Sequence, residues 1–551
     1  MQNTIWSRSK PLITLSALSS AVLLAFSSSA FAAKVPAGVQ LADKQEIRIQ
    51  TTAEAATLDP QKMEGTAESL LARQLLEGLV STDELDHIIP GVAEKWDYAD
   101  DFKTLTFHLR KDAKWSNGDP VTAHDFVYAW QRVVDPKTAS PYAAYLEFMK
   151  LENVADIVAG HKSPDTLGAK ALDDYTLQLT LTAPVPYAAQ LTQHASLFPV
   201  HKATVEKFGD DWTRPENFVG NGAYKIAERT LNEKIVFERS PTYWNDKETV
   251  VNKVTFFVLN ESSGIARFRS GDLDIANIPS TLYKDPKFRK EYDPQIHKSR
   301  KLGTFTYEMN LAKAPFDDIR VRKALDLALE REVITDKVLG FGQTPTYRFT
   351  PNYIGGGEKI KQPEYATWTQ KERNEEAKKL LMEAGYSKSN PLKTELLYNT
   401  NEGLKNIAVA ATSMWKKNLG GMAEISLKNM EWKTFLDTKQ QKNYNLAFSA
   451  WIADYNDAST FLTYYLSNSE QNKIGFKSEK FDKLINDSYY AKNEEERAEI
   501  YAKAEEELGN HHPFVAIYHY AGLFIKNPKL KGYEGKSPQG VYFVRDLYVE
   551  K

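Results

Sequence analysis

The chain has 551 residues, 42% of them hydrophobic and 26% charged, with a formal net charge of -3; that is the balance of a water-soluble globular protein with room for two or three packed units. A charge so close to neutral excludes the basic footprint of a nucleic-acid binder. The cysteine count of 0 excludes disulfides, thiolate nucleophiles and cysteine metal sites.

The N-terminus reads as a secretory signal. MQNTIWSRSK supplies a positive start, PLITLSALSSAVLLAF a short apolar run broken by serines, and Ala30-Phe31-Ala32 small residues where a signal peptidase reads, so the expected cut lies between Ala32 and Ala33. EIRIQTTAEAATLDPQK then predicts a strand running into a proline turn. TFHLRKDAKWSNGDPVTAHDFVYAWQRVV begins with strand alternation, turns at Asn117–Pro120 and starts a helix at Thr122, with Asp125 completing a capping box. TLQLTLTAPVPY predicts a strand ended by prolines. GNGAYKIAERTLNEKIVFERS predicts a hairpin, NKVTFFVLN a strand, and SSGIARFRSGDLDIANI a helix, a glycine turn and a strand.

The second half is richer in helix. DDIRVRKALDLALEREVITDKVLG places Val321, Ala324, Leu325, Ala328 and Val333 at helical spacing and predicts one helix stopped by Gly340; TQKERNEEAKKLLMEAGY repeats the design and stops at Gly385. From LKTELLYNT to YNLAFSAW, strands and helices alternate. That pattern predicts an α/β fold with parallel pairs, in which ligands sit beyond the carboxyl ends of strands. No repeat or low-complexity linker separates the parts, so the domains are expected to interleave. Asp454, in AWIADYNDASTF, follows such a strand end with Trp451 before it and Tyr455 after it. On the residues alone it serves equally as a cap or as an anion placed to meet a cation.

The catalytic templates are missing: there is no GxSxG, Walker A or HExxH. His511-His512 with His519 is the one histidine cluster, a weak metal pattern because adjacent histidines point apart. Carboxylates are plentiful, so paired-carboxylate hydrolysis stays open on the residues alone. What remains is a binding constellation of Asp454 with aromatic residues: Trp451, Tyr455, Trp432, Tyr142 and Tyr145.

WSNGDPVTAHDFVYAWQRVVDPKTASPYAAYL, together with VPAGVQLADKQ, LLYNTNEGLKNIAVAATSMWKKNLG, EWKTFLDTK, ADYNDASTF and YAKAEEELG, resembles the family 5 solute-binding proteins of peptide ABC transporters over nearly the whole mature chain. The resemblance implies a type II periplasmic-binding-protein fold: two lobes joined by a hinge plus an extra domain. It divides the chain into residues 33–77, 202–302 and 522–551 for lobe 1, 78–201 for the extra domain and 303–521 for lobe 2. It implies a periplasmic, non-enzymatic monomer without metal or cofactor that holds an oligopeptide in extended form and delivers it to an inner-membrane permease. Murein tripeptide, dipeptide or haem binding is the alternative within the family; a periplasmic peptidase is the remote one.

By the same resemblance Asp454 pairs with the peptide α-ammonium. Glu64, Gly65, Thr66, Tyr142, His194, Glu308, Trp432, Lys439, Ala450, Trp451 and Tyr520 line the cleft. There are departures. Gly303 and Ile452 stand where relatives carry a disulfide, and Phe448, Leu404 and Leu339 stand where relatives can carry basic residues. The expectation is a cleft more acidic and more apolar than usual, with Glu64 lacking its partner and with a preference for peptides that carry Lys or Arg or are apolar.

Overall fold

The computed structural model describes residues 35–551, so the signal segment and the expected cut at Ala32–Ala33 lie outside the described residues. Eleven strands form the main sheet. In chain order they are β1 (Glu46–Thr51), β2 (Tyr224–Thr230), β3 (Lys234–Arg239), β4 (Lys253–Val258), β5 (Ile275–Asn277), β6 (Ile296–Met309), β7 (Leu392–Asn399), β8 (Ala423–Met430), β9 (Leu446–Ile452) and β10 (Phe514–Lys526), with Thr344–Pro345 paired onto β10. Their order across the sheet is β8-β7-β9-β6-β10-β5-β1-β4-β3-β2. The expected parallel pairs are present: β1 beside β4 and β5, and β7 beside β8 and β9.

β6 and β10, of 14 and 13 residues, are antiparallel to each other and run through both halves of the sheet. Their pairing is interrupted between Arg300 and Thr304, where Lys301, Leu302 and Gly303 face Tyr520 alone. On one side of this irregularity lies the half built on β1–β5, on the other the half built on β7–β9. Each half carries its own helices: α1 (Thr66–Leu75) and α3 (Glu261–Arg269) on the first; α4 (Ile319–Leu327), α5 (Gln370–Glu383), α6 (Glu402–Asn418) and α7 (Trp432–Gln440) on the second. α2 (Ala123–Val134) belongs to a separate four-stranded antiparallel sheet, Ala93–Tyr98, Thr104–Leu109, Thr176–Thr180 and Ala169–Asp173. Its capping box, Thr122 with Asp125, forms as the sequence predicts. Apolar burial does not follow that division throughout: one cluster around Trp115, Trp130 and Trp212 continues into Phe349, Tyr465 and Phe514 of the second half, and another lies around Phe305, Tyr307 and Trp415.

The single helix expected up to Gly340 is two. α4 ends at Leu327, and a second helix, Val333–Leu339, stops at Gly340, whose φ of +83° is the left-handed value a glycine tolerates. The break accommodates Arg331, which is wholly buried. Its guanidinium donates to the carbonyls of Thr346 (2.9 Å), Ala516 (2.7 Å) and Asp326 (3.0 Å) and to the Asp326 carboxylate. A buried charge must be bonded on all sides, and the chain leaves the helical path to achieve that.

Candidate functional site

β9 is apolar and its carboxyl end opens into a turn that holds Asp454. One hydroxyl fastens the turn: Thr460 Oγ1 accepts from the Asp454 backbone N–H at 3.1 Å and from Trp451 Nε1 at 3.4 Å. The Asp454 side chain is 11% exposed, and Oδ1 lies 3.4 Å from His194 Nε2. The Ser196 N–H donates to His194 Nδ1 at 3.3 Å, so the ring proton of a neutral His194 sits on Nε2, turned toward Asp454. Tyr142 and Tyr145 cover the imidazole, with ring centroids 4.3 and 5.1 Å away. Among the described residues no lysine or arginine forms an ion pair with Asp454. Arg73 sends its field there, but its guanidinium donates to the Gln193 carbonyl at 3.1 Å, and burial lowers its pKa to about 10.

Asp457, three residues further on, is the opposite case. It pairs with Arg497 at 3.0 Å and accepts from Tyr501 Oη at 3.1 Å and Ser459 Oγ at 2.7 Å, so it is consumed by the fold. Beside Asp454 a narrow cavity is walled by Tyr142, Tyr145, Trp451, Tyr464 and Gln471. An anion at the edge of an aromatic cavity suits a cationic group carried on an apolar or amide framework.

The other expected residues fall into three groups around this point. Glu64 precedes α1, Gly65 is the N-cap of α1 and Thr66 its first residue. A side chain at Gly65 would have to displace the Glu68 carboxylate: its Cβ would lie 2.2 Å from that group and 3.0 Å from the Trp432 ring. Trp432, from the other lobe, donates through Nε1 to Glu68 Oε1 at 3.2 Å. Glu68 is almost wholly buried, and that burial raises its pKa.

The expectation that Glu64 lacks a partner is overturned. It forms an ion pair with Lys473, whose side chain is 2% exposed. Nothing in QNKIGF marks this lysine in the sequence; the pairing exists because the fold brings a polar loop of one lobe onto the loop before α1 of the other.

Glu308, on β6, is buried rather than open to the cavity. It pairs with Lys439 at 2.9 Å and accepts from Tyr464 Oη at 3.1 Å and Tyr465 Oη at 3.0 Å. Lys439 in turn donates to Ser449 Oγ at 3.0 Å, so these two charges satisfy each other. Ala450 and Tyr520 are half-buried beside Phe305, and the Phe448 ring packs against Phe305 with centroids 5.0 Å apart and planes tilted by 44°. With Leu404 half-buried and Leu339 buried, this flank is apolar as expected. Its rim is acidic: Ser262, on α3, donates to Glu402, on α6, at 2.8 Å across the lobes, and burial together with the Glu402 charge pushes the neighbouring Glu261 up to about 7.

The histidine cluster disperses. His511 contacts Glu507, His512 contacts Asp326, and His519 contacts Thr304, with burial and Arg300 lowering the His519 pKa to about 3. Among the described residues no group of three or more His, Asp or Glu side chains is placed to hold a metal ion. Beyond the expected set, the structure adds Lys473, Glu68, Thr460, Tyr464 and Gln471 to the site.

The description "Bacterial extracellular solute-binding proteins, family 5 Middle" matches residues 87–473. The chain is 52% identical over 535 residues to the periplasmic oligopeptide-binding protein OppA of Haemophilus influenzae, covering 97% of this chain and 99% of that protein. It superposes on the crystal structure of Haemophilus influenzae OppA in complex with RPPGFSPFR with a TM-score of 0.91 at 53% identity, covering 93% of this chain and 100% of that one. The Escherichia coli murein tripeptide binding protein MppA superposes with a TM-score of 0.90 at 41% identity, covering 93% of this chain and 99% of that one. The unliganded open form of MppA reaches only 0.64, at 40% identity and 94% and 99% coverage. That difference, with the contacts Trp432–Glu68, Lys473–Glu64 and Ser262–Glu402 crossing the gap, identifies a closed arrangement of the lobes. Matched along most of its length by the family and nearly end to end by these relatives, the chain belongs to the bacterial extracellular solute-binding proteins of family 5.

Proposed function

We propose that this chain is the periplasmic solute-binding component of an ABC importer, capturing oligopeptides in extended form and delivering them as a monomer to an inner-membrane permease. The observation that carries the reading is Asp454: an enclosed carboxylate without a lysine or arginine partner among the described residues, at the edge of an aromatic cavity. A peptide α-ammonium supplies the missing charge, and a charge-assisted bond in an enclosed site is strong enough to order the ligand's first residue. Trp451, Tyr142, His194 and the α1 start at Glu64, Gly65 and Thr66 surround that end. Glu308 and Lys439 brace the wall behind it, and Trp432, Ala450 and Tyr520 line the continuing cleft. Recognition through peptide backbone groups fits a broad choice of sequences.

We take the lobe boundaries at 302/303 and 521/522 and the hinge beside them; the interrupted pairing of Lys301–Gly303 opposite Tyr520, close to both, supports that choice. The extra domain is taken as residues 78–201. Binding without cleavage is the reading that the matched solute-binding relatives support. The peptide in the Haemophilus influenzae OppA complex, RPPGFSPFR, begins and ends with arginine and carries no acidic side chain. The apolar flank at Phe448, Leu404 and Leu339 and the acidic rim at Glu261 and Glu402 suit ligands of that character.

Native mass spectrometry of the protein isolated from its host tests the reading. A population of bound peptides, returned intact after incubation with the stripped protein, is the expected result. A single murein tripeptide would move the chain to the alternative branch, and shortened products would make it a peptidase.

A further inference from the structure

Lys473 is placed by the structure in a way that no sequence pattern announces. Its loop is pinned on both sides. Asn472 Nδ2 donates to the carbonyls of Leu466 at 3.0 Å and Phe476 at 2.7 Å, and Gln471 Nε2 donates to the Pro141 carbonyl of the extra domain at 2.9 Å. The ammonium is therefore held where it is, 2% exposed, while the Glu64 carboxylate it meets remains 22% exposed. The same loop lines the Asp454 cavity through Ser469, Glu470 and Gln471. The Glu64 charge is felt by Tyr142 and Tyr464, two walls of that cavity. Four residues on, Glu68 presents Oε2, buried and without a hydrogen-bond partner.

This corner of the closed cleft thus gathers carboxylates at Glu64, Glu68 and Asp454, and Lys473 is the cation ion-paired with one of them, Glu64. A carboxylate enclosed without a partner is costly, so the charge beside Glu64 must come either from the protein or from the ligand. Here the protein supplies it.

Resting on the peptide-binding reading above, we propose that Lys473 is a specificity-determining residue. It is a built-in counter-ion that occupies the place a ligand's cationic side chain would take beside Glu64, and so makes this subsite accept neutral side chains. The amino end remains the business of Asp454, which Lys473 does not reach. The pair also spans the lobes, so its formation accompanies closure; its distinguishing role is the choice of side chain.

The test uses full-length mature protein, stripped of ligand by unfolding and refolding. Three variants are titrated calorimetrically: Lys473→Met, Glu64→Gln and the double variant. The probes are alanine tripeptides carrying Lys, norleucine, Glu or Gln at each position in turn. The expected result is reciprocal. Lys473→Met gains at least about tenfold preference for Lys over norleucine at one position, because Glu64 then needs an external cation. Glu64→Gln gains a similar preference for Glu over Gln at that position, and the double variant shows neither. Uniform loss of affinity for every peptide in both single variants would make the pair a clasp only and overturn the proposal, as would an unchanged ranking. Failure of the wild-type protein to bind any of the tripeptides would instead remove the peptide reading itself.

Discussion

Asp454 and Asp457 sit in one short turn and have opposite fates. Asp457 is held by Arg497, Tyr501 and Ser459, whereas the Asp454 side chain meets, among the described residues, only the Nε2 of His194. Substitution should separate them. Asp454→Asn keeps the shape and removes the charge, so affinity for peptides with a free amino end should fall by about 2–5 kcal/mol. Affinity for N-acetylated peptides, which carry no such charge, should change little; calorimetry on matched pairs reads the difference. Asp457→Asn leaves Arg497, whose side chain is 20% exposed, without its charged partner and weakens the bonds from Tyr501 and Ser459, and should lower stability by about 1–3 kcal/mol, read by denaturant unfolding, with binding retained in the folded fraction. The sequence offered the position of Asp454 beyond a strand end but could not rank it above Asp457. What separates them most is brought from far along the chain: Arg497 and Tyr501 to Asp457, and His194 to Asp454.

At the scale of elements, the hydrophobic periodicities of α5 and α6 were legible because each buries one face, and a period of 3.6 follows from that; β6 escaped the sequence reading because its half from Leu302 to Met309 is buried on both faces and shows no alternation. The break before Val333 was not legible, because it answers a buried guanidinium whose acceptors lie as far along the chain as Ala516. The pairing of Glu64 with Lys473 was hidden for the same reason. The substitution at Gly303 and Ile452 can be understood locally. The two residues are directly opposite in β6 and β9, and the neighbouring bond from the Ala453 N–H to the Leu302 carbonyl, 2.7 Å, makes them a pair of the type without hydrogen bonds between its own members. Such pairs bring Cα atoms to about 4.5 Å, within the range a disulfide spans. Ile452 now fills the space: a Cβ on Gly303 would lie 2.3 Å from its Cδ1. The double variant Gly303→Cys with Ile452→Cys should therefore oxidise to a bridge and add about 2–4 kcal/mol to stability. Persistence of two free thiols after oxidation would show that the strands do not present these positions to each other.

For the molecule as a whole, closure brings like charges together at one rim. Glu261 is raised to about 7 by burial and by the charge of Glu402, from an ordinary value of 4.5. The part of that rise owed to Glu402, which lies across the gap, is present only when the lobes meet, so closing takes up a fraction of a proton. Closure is best supported below the ordinary value, loses support as pH rises toward 7, and changes no further through this group above it. Peptide affinity should accordingly weaken by about tenfold between pH 4.5 and 7.5, and Glu261→Gln should flatten that slope while leaving tight binding at pH 7.5. A slope unaltered in the variant would assign the pH dependence elsewhere.

β6 and β10 cross from one lobe to the other side by side, with their ladder broken at Lys301–Gly303. Two adjacent tethers behave like the spine of a book: swinging about the line through them is easy, whereas sliding or twisting strains both covers. A guest trapped between the pages therefore changes one coordinate, the gape at the fore-edge. On the transport reading proposed above, a membrane complex touching both covers would need to measure only that single width to tell a loaded carrier from an empty one.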